Sequence, residues 1–330
     1  MSGLKHHILL FILACLISGG ISASGRVDEH TKPDIKILYI PGVADPFYKS
    51  MEEGAQQKAE AMGISLTVSD YPETWDPAIQ IPLLNEAVAA GDYDLIMIAP
   101  VDRDALVYPL KVLYENGIQI ITVDTEIGDG DYKSSSEWSF PLCHIGTDNF
   151  AGAVALGEDL AEKVGEKGKV YINTTTALTS TTEERKDGFI EGISHFPEME
   201  VVRVDYNGDL QEVARNQTLS VLMDHPEIVA VFGTNVFSSQ GVSSAVKNTG
   251  LSGAVRVAAW DSTETLIRSL RRGEVDLVLA QKPAEIGALA IEWAHSYLIE
   301  NRTIPKSITS GYVILDKTNI NDPDMEQYIY

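Results

Sequence analysis

Residues 35–68 read IKILYIPGVADPFYKSMEEGAQQKAEAMGISLTV, and this stretch decides the fold class. Ile35 to Pro41 is a short apolar run with no alternation, the pattern of a strand buried on both faces. Phe47, Met51, Ala55, Ala59 and Met62 then recur at four- and three-residue spacing, which predicts a helix, and Gly63 stops it. Ile64 to Val68 is the next strand. A strand, a helix and a strand within 34 residues form one βα unit, and strands so linked lie parallel.

The rhythm continues outward from there. A helix is expected over Asp76 to Ala90, with Pro82 inside it to kink it or reset its start. Leu95 to Ala99 is a strand, Ala105 to Asn116 a helix closed by Gly117, and Gln119 to Val123 a strand. The segment DTEIGDGDYKSSSEWSFPLC, residues 124–143, breaks the pattern. A second series follows, with strands at Lys169–Ile172, Val201–Val204, Val229–Gly233, Val255–Ala259 and Asp276–Ala280 and a late helix over Ile286–Leu298. Two βα series separated by a break predict an α/β protein of two doubly wound, Rossmann-like lobes, with the chain crossing near residue 146.

Residues 1–24, MSGLKHHILLFILACLISGGISAS, place Lys5 before an apolar run and end on small residues. This reads as a secretory signal peptide cleaved after Ser24, which places the mature chain in the periplasm. The alternative is lipidation at Cys15, although the apolar run continues past that residue where a lipoprotein signal stops. With Cys15 removed, Cys143 has no partner for an internal disulfide. The formal charge of −23 repels phosphate backbones, so nucleic acid is excluded as a partner. No Ser-His-Asp pattern, phosphate loop or metal-ligand spacing stands out, so neither an enzyme nor a cofactor is expected. Asp129 and Asp131 open like a calcium loop, but Lys133 stands where the next ligand belongs.

Asp45-Pro46-Phe47-Tyr48, followed by Glu53-Gly54-Ala55, resembles the Asn-Pro-Phe-Phe turn and helix of ribose-type periplasmic binding proteins. Five further segments match that family in order: Thr122 to Asp124; His144 to Asn149; Thr179-Ser180 with Arg185 and Gly188-Phe189; Phe232 to Asn235; and Ala259 to Asp261 with Leu279 to Pro283. The match spans nearly all of residues 35–300. The resemblance implies two lobes joined by three crossovers, closing around a monosaccharide or sugar alcohol that is then delivered to an ABC permease. A periplasmic sensor signalling to a histidine kinase or chemoreceptor is the alternative, and a monomer is expected in either case. The lobes would be residues 34–146 with about 282–308, and 147–281 with about 309–330.

The resemblance also implies the site. Asp124, Asn235, Asp261 and Gln281 would bond sugar hydroxyls, Phe47 and Tyr48 would cover a sugar face, Thr147 would sit beside the ligand, and Asp45 takes the place of the family's turn Asn. Each segment lies just past an expected strand, where open α/β sheets bind ligands. Taken alone, Asp124 and Asp261 could equally be turn residues, Asn235 a helix cap, and Phe47 a core residue. Glu183 aligns with the family's cleft arginine and so joins the expected ligand-binding residues, leaving Arg185 two positions on and on another helix face. Thr125, Ala99 and Leu210 also replace family residues, so a ribose identity does not carry over. Trp75 and Trp138 are candidates for a substitute stacking surface, although each also reads as a partly buried anchor.

Overall fold

Alternate side chains of the first strand enter two different cores. Ile37 and Tyr39 belong to one apolar cluster and Leu38 and Ile40 to another. A strand buried on both faces must lie inside a sheet covered by helices on both sides, and that is its position in the computed structural model, which describes residues 35–330. The expected signal peptide and the lipidation alternative at Cys15 lie outside the described residues.

The first lobe's elements run β1 (Lys36–Ile40), α1 (Pro46–Met62), β2 (Ser65–Val68), α2 (Pro77–Ala89), β3 (Leu95–Ile98), α3 (Val107–Glu115), β4 (Gln119–Val123) and β5 (Cys143–Thr147). The second lobe runs α4 (Asn149–Val164), β6 (Lys167–Thr174), α5 (Ser180–Ser194), β7 (Glu198–Tyr206), α6 (Gln211–Asp224), β8 (Ile228–Gly233), α7 (Val236–Asn248), β9 (Arg256–Trp260), α8 (Glu264–Arg272) and β10 (Leu277–Ala280). The chain then returns to the first lobe with α9 (Pro283–Leu298) and β11 (Ser307–Ser310), and back again with β12 (Val313–Leu315) and a 3-10 helix over Pro323–Tyr328.

Two six-stranded sheets result, ordered β11-β5-β4-β3-β1-β2 and β12-β10-β9-β8-β6-β7. All pairings are parallel except β12 with β10. Each sheet reverses its strand order beside its first strand, the doubly wound arrangement whose ligand crevice lies past the carboxyl ends of the strands. The expected fold class therefore holds. Three crossings join the sheets: after Thr147 into α4, after Ala280 into α9, and between Ser310 and Val313.

Helix starts follow local chemistry. Asp45 accepts from the Tyr48 N–H at 3.0 Å with Pro46 at the first helical position, and Gly63 closes α1 in the left-handed region. Asp148 caps α4 and Asn235 caps α7 in the same way. Pro82 does not reset α2. The helix runs unbroken from the cap at Asp76, because the N–H that proline lacks would have served only one bond in the second turn.

Candidate functional site

A cavity, with about 390 Å³ of space not filled by atoms, part of it open to solvent, lies between the carboxyl ends of the two sheets. Its first-lobe wall is Val43, Asp45, Phe47, Tyr48, Trp75 and Asp124. The opposing wall carries Thr175, Thr179, Thr181 and Thr182, then Arg185 and Asp209, and Asn235, Asp261 and Gln281 close it.

Asp124 and Asp261 hold equivalent places. Each follows the third strand in its sheet's order, β4 and β9, and each turns to positive φ, 61° and 78°. Their N–H groups bond the neighbouring strand at 2.9 Å, to Ile145 and Leu279. Few residues other than glycine tolerate that backbone, and aspartate is one of them. The turn lifts each carboxylate off the strand end into the cavity. Asp124 Oδ2 accepts from the Tyr48 hydroxyl at 2.7 Å, and Asp261 Oδ1 accepts from Gln281 Nε2 at 2.7 Å. Burial pushes the Asp124 carboxyl up to about 6, opposed by Arg185, whose nearest nitrogen lies 3.8 Å away, and by the Tyr48 bond.

Tyr48 stands edge-on to Phe47, 5.1 Å between centroids, and stacks beside Trp75 at 6.2 Å with planes 25° apart. Phe47 is both core and cavity wall. Trp75 Nε1 donates to Thr179 Oγ1 at 2.9 Å, which ties the two lobes together at the cavity's edge. Asp45 caps α1 with one oxygen, and burial holds its carboxyl well above the ordinary range. Asn235 does two jobs: its carbonyl caps α7 at 3.0 Å while its amide donates to Asp209 at 2.6 Å.

Two expected residues stand elsewhere. Thr147 lies at the first crossing, where its hydroxyl meets that of Ser310 at 3.5 Å, so it belongs to the hinge and not to the cavity wall. Glu183 points away, pairing with Lys186 at 2.6 Å and accepting from Tyr206 at 3.0 Å. Arg185 takes the inward place. Its guanidinium donates to Asn149 Oδ1 at 2.8 Å and to the Thr234 carbonyl at 3.0 Å, and lies 4.5 Å from the Trp260 ring. Residues two apart on a helix face different ways, so the turn that carries Arg185 inward carries Glu183 out.

Asp209 was missed. It follows β7 in an Asn-Gly-Asp turn at φ 63°, and burial pushes its carboxyl up to about 6. The turn residues Gly208-Asp209 after a strand were the available signal; the expectation attached instead to Leu210, which is exposed. Trp138 bonds Asp129 at 2.6 Å in the Ser-rich segment and does not reach the cavity. Thr125 donates to the Pro100 carbonyl at 2.7 Å and holds the turn after Asp124.

The wall offers carboxylates, amides, hydroxyls and aromatic rings from both lobes, and most of the arginine's donors are already used inside the protein. Such groups are the natural partners of a ligand rich in hydroxyls. A family model described as a periplasmic binding protein domain matches residues 37–302. The chain belongs to the periplasmic binding protein family. Within it, a ribose import binding protein of Salmonella typhimurium is 28% identical over 87% of this chain and 92% of its own. The D-allose-binding periplasmic protein of Escherichia coli is 25% identical over 84% and 89%. An ABC transporter solute-binding protein of Agrobacterium vitis, solved with α-D-tagatopyranose, superposes with a TM-score of 0.87 at 35% identity, covering 90% of this chain and 99% of that one. The relatives of this periplasmic binding protein are themselves named as ribose- and allose-binding proteins and as an ABC transporter solute-binding protein.

Proposed function

We propose that this periplasmic binding protein captures a neutral monosaccharide or sugar alcohol between its lobes and presents it, as a monomer, to an ABC permease. The observation that carries the reading is the acceptor excess in one cavity: Asp45, Asp124, Asp209 and Asp261 converge from both lobes beside stacked aromatic rings. Sugar hydroxyls donate to such carboxylates with charge assistance, and ring C–H faces pack on aromatic rings. In this reading Asp124, Asp209 and Asp261 accept from hydroxyls, Asn235 and Gln281 orient two of those carboxylates, Phe47, Tyr48 and Trp75 cover a sugar face, and Asp45 accepts at the rim.

The lobes close as bodies of residues 34–146 with about 282–308, and 147–281 with about 309–330. Export through a signal peptide at residues 1–24 brings the chain to the periplasm where such receptors work. Relatives named for ribose and allose, and one solved with tagatopyranose bound, support a pentose or hexose over a larger glycan. Import is the role those names carry, and it favours delivery to a permease over signalling.

Calorimetry against D-ribose, D-allose, D-tagatose and a set of polyols tests the reading. Binding of at least one member well below about 1 mM is expected. No binding tighter than that across the panel overturns it.

A further inference from the structure

The segment after β12 begins in the second lobe and ends against the first. Met325, Tyr328 and Ile329 pack on the second-lobe core, and Ser262 Oγ donates to the Tyr328 carbonyl. Tyr330 then turns the other way. Its N–H bonds the Ser262 carbonyl at 3.4 Å, while its ring packs against the first-lobe core and meets Phe47 edge-on, 5.9 Å between centroids at 69°. Its hydroxyl donates to Asp261 Oδ1 at 2.7 Å, the same oxygen that accepts from Gln281.

Tyr330 therefore stands behind two cavity residues from opposite lobes, Phe47 and Asp261, without lining the cavity itself. We propose that Tyr330 is a positioning residue for the ligand carboxylate Asp261 and a strap that holds the closed form. Two donors on Oδ1 fix the carboxylate's rotation and leave Oδ2 for the ligand. Such preorganisation spares the ligand the cost of ordering the group. The same ring, anchored on one lobe and packed on the other, gains its apolar contact with Phe47 only when the lobes are together, so it shifts the open-closed equilibrium toward closure. The inference rests on the sugar-binding reading for its first half and on geometry alone for its second.

The test uses the full chain with D-tagatose as probe, and Tyr330→Phe and Tyr330→Ala variants. Y330F, which keeps the ring, is expected to bind about tenfold more weakly, the usual loss for one bond to a charged group. Its ligand-free melting temperature should stay within about 2 °C of wild type, since the ring contacts remain. Y330A is expected to lose about a further tenfold, mostly as faster dissociation. Ligand-free small-angle scattering should show Y330A more open than wild type. Y330F within about twofold of wild type overturns the positioning role, and Y330A no more open than wild type overturns the strap. If wild type binds neither D-tagatose nor any other sugar, the sugar reading and the positioning role fall together, and the ligand-free scattering still decides the strap.

Discussion

Asp124 sits at φ 61° and is almost fully buried, with its carboxyl pushed up to about 6. A raised carboxyl binds its proton more readily in the folded chain than in the unfolded one, where aspartate titrates near ~3.9. Folding stability from this group therefore falls as pH rises through about 6 and is regained as pH falls from about 7 toward about 4. Asp209, also raised to about 6, acts in the same direction. The expected outcome is that ligand-free wild type gains about 1 kcal/mol from Asp124 between pH 7 and pH 5 relative to Asp124→Asn. Urea titrations of both proteins at the two pH values measure it, and parallel pH dependences would refute it. Sugar affinity should run the other way, weakening below about pH 6 as charge-assisted acceptors are lost, and D124N should bind roughly 10- to 100-fold more weakly at pH 7. The places of Asp124 and Asp261 at strand ends were legible from the apolar runs before them, while a ligand role for either came only from the family resemblance. Arg185 was not, because one helix turn contains both it and Glu183, and only packing against Asn149 and Thr234 decides which faces in.

At the scale of elements, the sequence pattern located helices and strands where a period of 3.6 or a continuous apolar run was present. It gave no sign of β11 and β12, four and three residues long, whose SITS and VIL carry no period to read. Those strands exist because a sheet edge is available beside β5 and β10. The helix pairing was likewise invisible. Glycine at 54 lets α1 approach α9 so closely that a Cβ there would stand 2.0 Å from the Ala284 carbonyl oxygen, and Gly287 on α9 meets the Met51 carbonyl oxygen in the same way. The second lobe repeats the device where Gly188 and Gly192 of α5 face α4 backbone at Phe150 and Val154. Backbone cannot yield as a side-chain tip can. Gly54→Ala should therefore destabilise the protein by about 2–3 kcal/mol despite alanine's better helix propensity, because overpacking outweighs the ~1 kcal/mol that propensity returns. Chemical denaturation measures this, and an unchanged or raised midpoint would contradict the close-packed pairing.

The whole molecule is two copies of one architecture facing each other, with β1 to β5 and β6 to β10 in the same sheet order. Strand ends that carry Asp124 in one lobe carry Asp261 in the other, so closure brings matching acceptors to opposite sides of one ligand. Across the cleft the lobes meet through Trp75 to Thr179, the Glu126 N–H to Ser180 Oγ at 3.0 Å, the Arg103 N–H to the Leu178 carbonyl at 3.3 Å, the Arg185–Asp124 pair at 3.8 Å, and the packing of Phe237 and Tyr330 on the first-lobe core. Such contacts can be made and broken as the hinge moves. Of the four tryptophans, Trp260 is sealed in the second-lobe core, Trp138 bonds Asp129 within its own segment and Trp293 packs on the first-lobe core. Trp75 alone of the four donates across the lobes. Sugar binding should therefore change intrinsic fluorescence chiefly through Trp75, as its indole gains the Thr179 bond and loses water. In Trp75→Phe the ring wall is kept, so binding by calorimetry should persist, weakened by about three- to tenfold for the lost bond and indole area, while the fluorescence response disappears. A Trp75→Phe protein whose emission still changes fully on ligand addition would place the closing contact elsewhere. Thr179→Val, which leaves every indole in place and removes only the acceptor, should reduce the response without abolishing it, because the stack on Tyr48 still forms the wall that the second lobe closes against.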